Sequence, residues 1–168
     1  MRFLVLLFSF FSLTAVSQDE PIGAFLEKWE NSKNYLLQIA EAMPEEAYSY
    51  KPTQREMTFA QQLTHIKDNM EWLSKTYFRN ENYTKSKDTQ NYTKAEILAL
   101  LQNSFDSVSA IIKKTSIKEL KQKVDFFAGE KTKLQILNLL QDHVTHHRGQ
   151  IIVYLNLNNV QPPKYVGW

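Results

Sequence analysis

"TKLQILNLLQDHVTHHRGQIIVYL", residues 132–155, decides how the rest of the chain is read. It opens on Thr132-Lys133-Leu134-Gln135, the capping-box form in which a threonine and a glutamine three residues on satisfy each other's free amides. Leu137, Leu140, Val144, Ile151 and Leu155 then recur at helical spacing. An amphipathic helix of about twenty residues, ~30 Å long at 1.5 Å per residue, is expected. The same device stands at Thr58-Phe59-Ala60-Gln61 and at Thr93-Lys94-Ala95-Glu96, each before another apolar-periodic run. One run carries Phe59, Leu63, Ile66, Met70, Leu73 and Tyr77, and the other Ile97, Leu101, Phe105, Val108 and Ile112. A further helix opens at Pro21, a good first-turn residue, and carries Phe25, Trp29, Ser32, Leu36, Ile39 and Met43 until Pro44 stops it. Four amphipathic rods of matched length predict an all-α fold, a four-helix bundle.

The segments between the rods say less. "NENYTKSKDTQNYT" reads as a polar loop between the second and third helices, and "KVDFFAGEK" as a short extended segment before Gly129 turns the chain. Asn82-Tyr83-Thr84 and Asn91-Tyr92-Thr93 match the glycosylation sequon, a short pattern that also arises by chance.

The chain of 168 residues is of single-domain size, with 43% hydrophobic and 23% charged residues, four glycines and five prolines, which argues against disorder. A net charge of +2 with interspersed signs shows no electrostatic footprint for nucleic acid. At the N-terminus, Arg2 precedes an apolar stretch from Phe3 to Leu13 and then Ala15-Val16-Ser17, a small-x-small cleavage pattern. This predicts a secretory signal peptide over residues 1–17, a mature domain over 18–168, and a periplasmic or secreted location. The apolar stretch is shorter than the ~20 residues a bilayer requires, so no membrane span is expected after cleavage. With no cysteine anywhere, the fold must hold without disulfides, a cysteine nucleophile is excluded, and any metal site must come from His, Asp or Glu.

Three of the four histidines lie within five residues of one another. At ~100° per residue from Leu134, the apolar stripe of the last helix falls at about 240–300°. His143 lands near ~180° and His147 near ~220°, at the edge of the stripe, whereas His146 lands near ~120° with the polar residues. An i, i+4 pair of imidazoles is one way for a helix to supply two metal ligands, and it is equally a way for two polar residues to sit at an apolar edge. His65, in "QQLTHIKDNMEWL", occupies a similar border on the second helix, shared with Asn69 and Trp72. In a bundle it can meet the pair and complete three nitrogen ligands with open positions. Arg148 and Gln150 are read as residues that orient the last helix, with Asp68 or Glu71 as a carboxylate partner for the arginine. Trp72 and Tyr77 are read as core aromatics that could also line a pocket.

These features together resemble the DinB-like, or YfiT-like, superfamily of bacterial four-helix-bundle proteins. The resemblance rests on "LTHIKDNMEWL" around His65, "HVTHHRGQI" with its H-x-x-x-H-R-G-Q spacing, "YSYKPTQREMTFAQQL", and the closing "PPKY", and it spans nearly the whole mature chain. It implies that His65, His143 and His147 bind a divalent transition metal, commonly zinc or nickel, with His146 at a variable position. It also implies a small-molecule substrate, handled by a metal-dependent hydrolase or by a thiol S-transferase with a low-molecular-weight thiol cosubstrate such as bacillithiol. A mycothiol-dependent isomerase is another member of this kind. The rival readings are a non-catalytic metal- or ligand-binding protein of the cell envelope, and a scaffold whose histidines are only packed polar residues. A homodimer is expected by analogy.

Overall fold

The computed structural model describes residues 20–84 and 92–167. The signal peptide expected over residues 1–17 and the Asn91 sequon lie outside the described residues. The expected helices are α1 (Glu20–Ala42), α2 (Phe59–Phe78), α3 (Lys94–Ile112) and α5 (Lys133–Leu157). The Thr58, Thr93 and Thr132 capping boxes are all formed, hydroxyl to backbone and side-chain amide or carboxylate to backbone, so three helix starts sit where the local chemistry puts them.

A fourth box, Ser116-Ile117-Lys118-Glu119, opens a four-residue helix, α4 (Ile117–Leu120), which apolar periodicity cannot reveal because it is only one turn long. Leu120 plugs into the core, and the chain then forms a two-residue antiparallel ladder, β1 (Lys123–Val124) with β2 (Lys131–Thr132), pairing Lys123 with Thr132 and Val124 with Lys131. Gly129, at φ 87°, turns the hairpin in the left-handed region that glycine adopts without a steric cost. The ladder runs directly into the first turn of α5 and so sets where that helix begins.

The long helices form a ring in which α1 packs on α3 and α5, and α2 packs on α3 and α5. Partners between α2 and α5 run in opposite directions, Gln62 meeting Gln150 and Tyr154 while His65 meets His143, so these two helices are antiparallel. Every apolar position of the four expected stripes is buried. Trp29 is fully enclosed against Phe25 and Phe105, and its indole N–H donates to the Phe105 carbonyl at 3.1 Å, which removes the cost of burying that donor. The loop before α2 is tied down as well. Tyr48 packs on Phe59, its hydroxyl donates to the Ala40 carbonyl at 2.7 Å, and the carbonyls of Tyr48 and Tyr50 accept from the Ala60 and Phe59 amides, which a helix leaves unpaired at its start.

One expectation is corrected here. Arg148 does not pair with Asp68 or Glu71, because it lies on the opposite flank of α5, 6% exposed, with its guanidinium 3.4 Å from the Ser32 hydroxyl and over the Tyr35 ring. Lys67 faces Asp68 and Glu71 instead, at 2.9 and 3.6 Å. Arg148 therefore fastens α5 to α1, an orienting role met by a hydroxyl and an aromatic face, and burial pulls its pKa below the ordinary arginine value. Tyr77 is buried as expected, whereas Trp72 is half-buried and stacks with Phe126 and the exposed Phe127 of the hairpin.

Candidate metal centre

Antiparallel packing of α2 on α5 brings His65, His143 and His147 together, with one nitrogen from each lying within 4.8 Å of the others. Ring centroids are 4.9 Å apart for His65 and His143, 4.6 Å for His65 and His147, and 4.4 Å for His143 and His147. His147 is buried, and His65 and His143 are half-buried, so the cluster sits at the edge of the core with one side toward solvent. The i, i+4 spacing on α5 supplies two of the rings and the capped start of α2 fixes the height of the third.

Nε2 of His65 and Nε2 of His143 face each other at 3.1 Å. Two nitrogens bound to one tetrahedral zinc at ~2.0–2.1 Å are about 3.3 Å apart, so the rings already stand close to the spacing that a shared metal requires. The donor set fits a divalent transition metal: imidazole nitrogens only, without thiolate, and among the described residues no carboxylate joins the group. Burial and the neighbouring imidazoles also keep the two rings of α5 unprotonated. His143 is pushed down to about 3, by desolvation first and then by His147, His65 and His146, and His147 to about 4, by desolvation and then His65 and His146. Neutral imidazole is the form that binds metal.

His147 is fixed by a residue that the helical wheel overlooked. Its Nδ1–H donates to Gln62 Oε1 at 2.6 Å, leaving the Nε2 lone pair free to act as a ligand. Gln62, 2% exposed, passes its own amide N–H to Gln150 Oε1 at 2.7 Å, with the Tyr154 hydroxyl at 3.4 Å, and that hydroxyl donates to the Met57 carbonyl at 2.8 Å. Gln62 stands three residues before His65, on the same face of α2, which is the signal in the sequence that could have found it. Gln150 orients α5 as expected, by way of Gln62. His146 is exposed and outside the group, and its Nε2 accepts from Gln150 at 2.8 Å. Among the described residues, the buried Nδ1 of His143 and Oδ1 of Asn69 have no hydrogen-bond partner.

A helical bundle with a three-imidazole cluster between antiparallel helices defines a class of protein, and comparison with known proteins agrees with it. Residues 16–166 match the model of the DinB family, and the chain belongs to that family. It is similar to the uncharacterized protein YjoA of Bacillus subtilis (strain 168), at 23% identity over 137 residues, covering 79% of this chain and 88% of that protein. The crystal structure of the DinB-like YjoA superposes with a TM-score of 0.70 at 18% identity, over 84% of this chain and 96% of that one. A DinB-like protein from Bacillus cereus ATCC 10987 superposes with a TM-score of 0.76 at 17% identity, over 86% and 97%. At such identities these likenesses show the shared fold.

Proposed function

We propose that His65, His143 and His147 hold one divalent transition metal, zinc or nickel, and that the protein is an exported metal-dependent enzyme acting on a small molecule, either as a hydrolase or as a thiol S-transferase. The observation that carries this reading is the convergence of three imidazoles from two helices, with the facing Nε2 atoms 3.1 Å apart. Three neutral ligands leave a metal's charge undiminished, so that, when bound, it supplies a nucleophile at neutral pH by favouring the ionised form of a water or a substrate thiol. The chain's own part is to hold His143 and His147 unprotonated by burial, to fix the His147 tautomer through Gln62, and to leave the half-buried side of His65 and His143 open to a substrate.

A second reading, a non-catalytic metal- or ligand-binding protein of the envelope, draws support from the composition of the cluster. It holds imidazoles alone, and among the described residues no carboxylate stands with them to act as a general acid or base. Protein isolated from the cell envelope of its host tests both halves of the proposal. The export reading expects a mature chain beginning at Gln18. The enzymatic reading expects turnover on a panel of esters and electrophiles, with or without added thiols, that disappears on chelation and in His143→Ala. Turnover unaffected by either treatment contradicts it, and a cytoplasmic chain retaining Met1 contradicts export.

A further inference from the structure

We propose that Gln62 is the positioning residue of the metal centre, a neutral amide that sets the tautomer and direction of His147 and thereby a large part of the metal affinity. The inference rests on the three-histidine reading and goes beyond it, because Gln62 contributes no ligand atom. Its Oε1 can only accept, so at 2.6 Å the proton must be on Nδ1 of His147, which is the tautomer that frees Nε2. The rest of the network fixes the amide orientation. Gln62 Nε2 donates to Gln150 Oε1, and Gln150 Nε2 donates to His146 Nε2, so turning one amide over alone would set like groups against each other. The Tyr154 hydroxyl gives its proton to the Met57 carbonyl and can only accept from the amide beside it, at 3.4 Å, which requires the N–H on that side of Gln62 and rules out turning both amides over together. Gln62 is almost completely buried and cannot exchange these partners for solvent at low cost.

Groups that hold the outer N–H of a metal-bound imidazole commonly contribute ~10–100-fold to metal affinity. A carboxylate is a frequent choice for this position, and it adds negative charge behind the ring. An amide gives the same direction without that charge, so the centre keeps more of the metal's positive field. The inward position on α2 that selects His65 as a ligand also selects Gln62, one turn earlier, as the support for the ligand from α5. Both helices thus contribute to the site twice: α2 through His65 and Gln62, and α5 through its histidine pair and Gln150.

The experiment compares Gln62→Met, which keeps the unbranched shape and removes the acceptor, with Gln62→Glu, which keeps the acceptor and adds charge. Zinc and nickel affinities are measured by competition with a chromophoric chelator on untagged protein. Imidazole ¹⁵N shifts of the metal-free chain report the His147 tautomer, and circular dichroism reports folding. The expected result is a ~10–100-fold loss of affinity in Gln62→Met with the helical signal retained and a mixed His147 tautomer. Gln62→Glu is expected to bind at least as tightly as the parent. Equal affinity and an unchanged tautomer in folded Gln62→Met overturn the inference while leaving the three-ligand reading intact. If Gln62→Met does not fold, weaker binding by a folded Gln62→Glu overturns it instead. A parent protein that binds neither metal overturns both.

Discussion

His143 and His147 carry the sharpest electrostatic signature in the molecule, and its direction can be tested without any metal. Burial holds them down to about 3 and about 4, against ~6.5 for a histidine in an unfolded chain. As pH falls below ~6.5 the unfolded chain takes up these protons first, so it binds more protons than the native state and native stability falls with falling pH. The contribution is fully present above ~6.5 and is lost on the way down toward the folded values. Chelator-treated protein should therefore melt at progressively lower temperature from pH 6.5 to 5, a window above most carboxylate titration. His143→Gln should flatten that slope. A parent slope that is level or reversed contradicts the burial of neutral imidazoles. The wheel assigned these two rings to the inner edge of α5 and His146 to the outside, and the structure places each so. It did not single out Gln62, because a glutamine beside a core stripe looks like any polar flank unless its place one turn before His65 is weighed. Nor could it give Arg148 its partners, since Ser32 and Tyr35 belong to α1, more than a hundred residues away in the chain.

Helix starts are the most readable elements because their chemistry is local. Each capping box links residues three apart, and the three foreseen boxes form at Thr58, Thr93 and Thr132. The missed α4 has the same local signal at Ser116 but lacks the apolar period that drew attention to the others. The hairpin that delivers the chain to α5 was expected only as an extended segment, since its pairing depends on two strands of two residues each. Within α5, Gly149 is the weak point. It lies inside the helix, exposed, and a Cβ built there meets nothing within 4 Å. Glycine in a helix interior costs ~0.5–1 kcal/mol relative to alanine. Gly149→Ala should accordingly raise the midpoint of urea unfolding by about that free energy with an unchanged slope. A lowered midpoint in Gly149→Ala would contradict the open space around this position.

For the whole molecule, the three-histidine cluster is a consequence of bundle topology. Neither α2 nor α5 supplies the three clustered imidazoles alone; the antiparallel packing that joins them also places Gln62 on Gln150, while the packing of α5 on α1 seats Arg148 on the other flank. The bundle's apolar faces are turned on one another, and among the described residues no helix is long and apolar enough to cross a membrane. The four-helix architecture could be read from periodicity and caps, because each stripe reports its own burial. Which stripes face one another is a property of the assembled ring, and the distance from His65 to the pair on α5 could only be expected. The most direct test is the metal content of untagged protein, measured by inductively coupled plasma mass spectrometry on the parent and on His65→Ala. One zinc or nickel per chain in the parent, largely lost when His65 is removed although α5 keeps both its histidines, is the result predicted. No stoichiometric transition metal in the parent, or full retention in His65→Ala, would contradict the three-ligand centre.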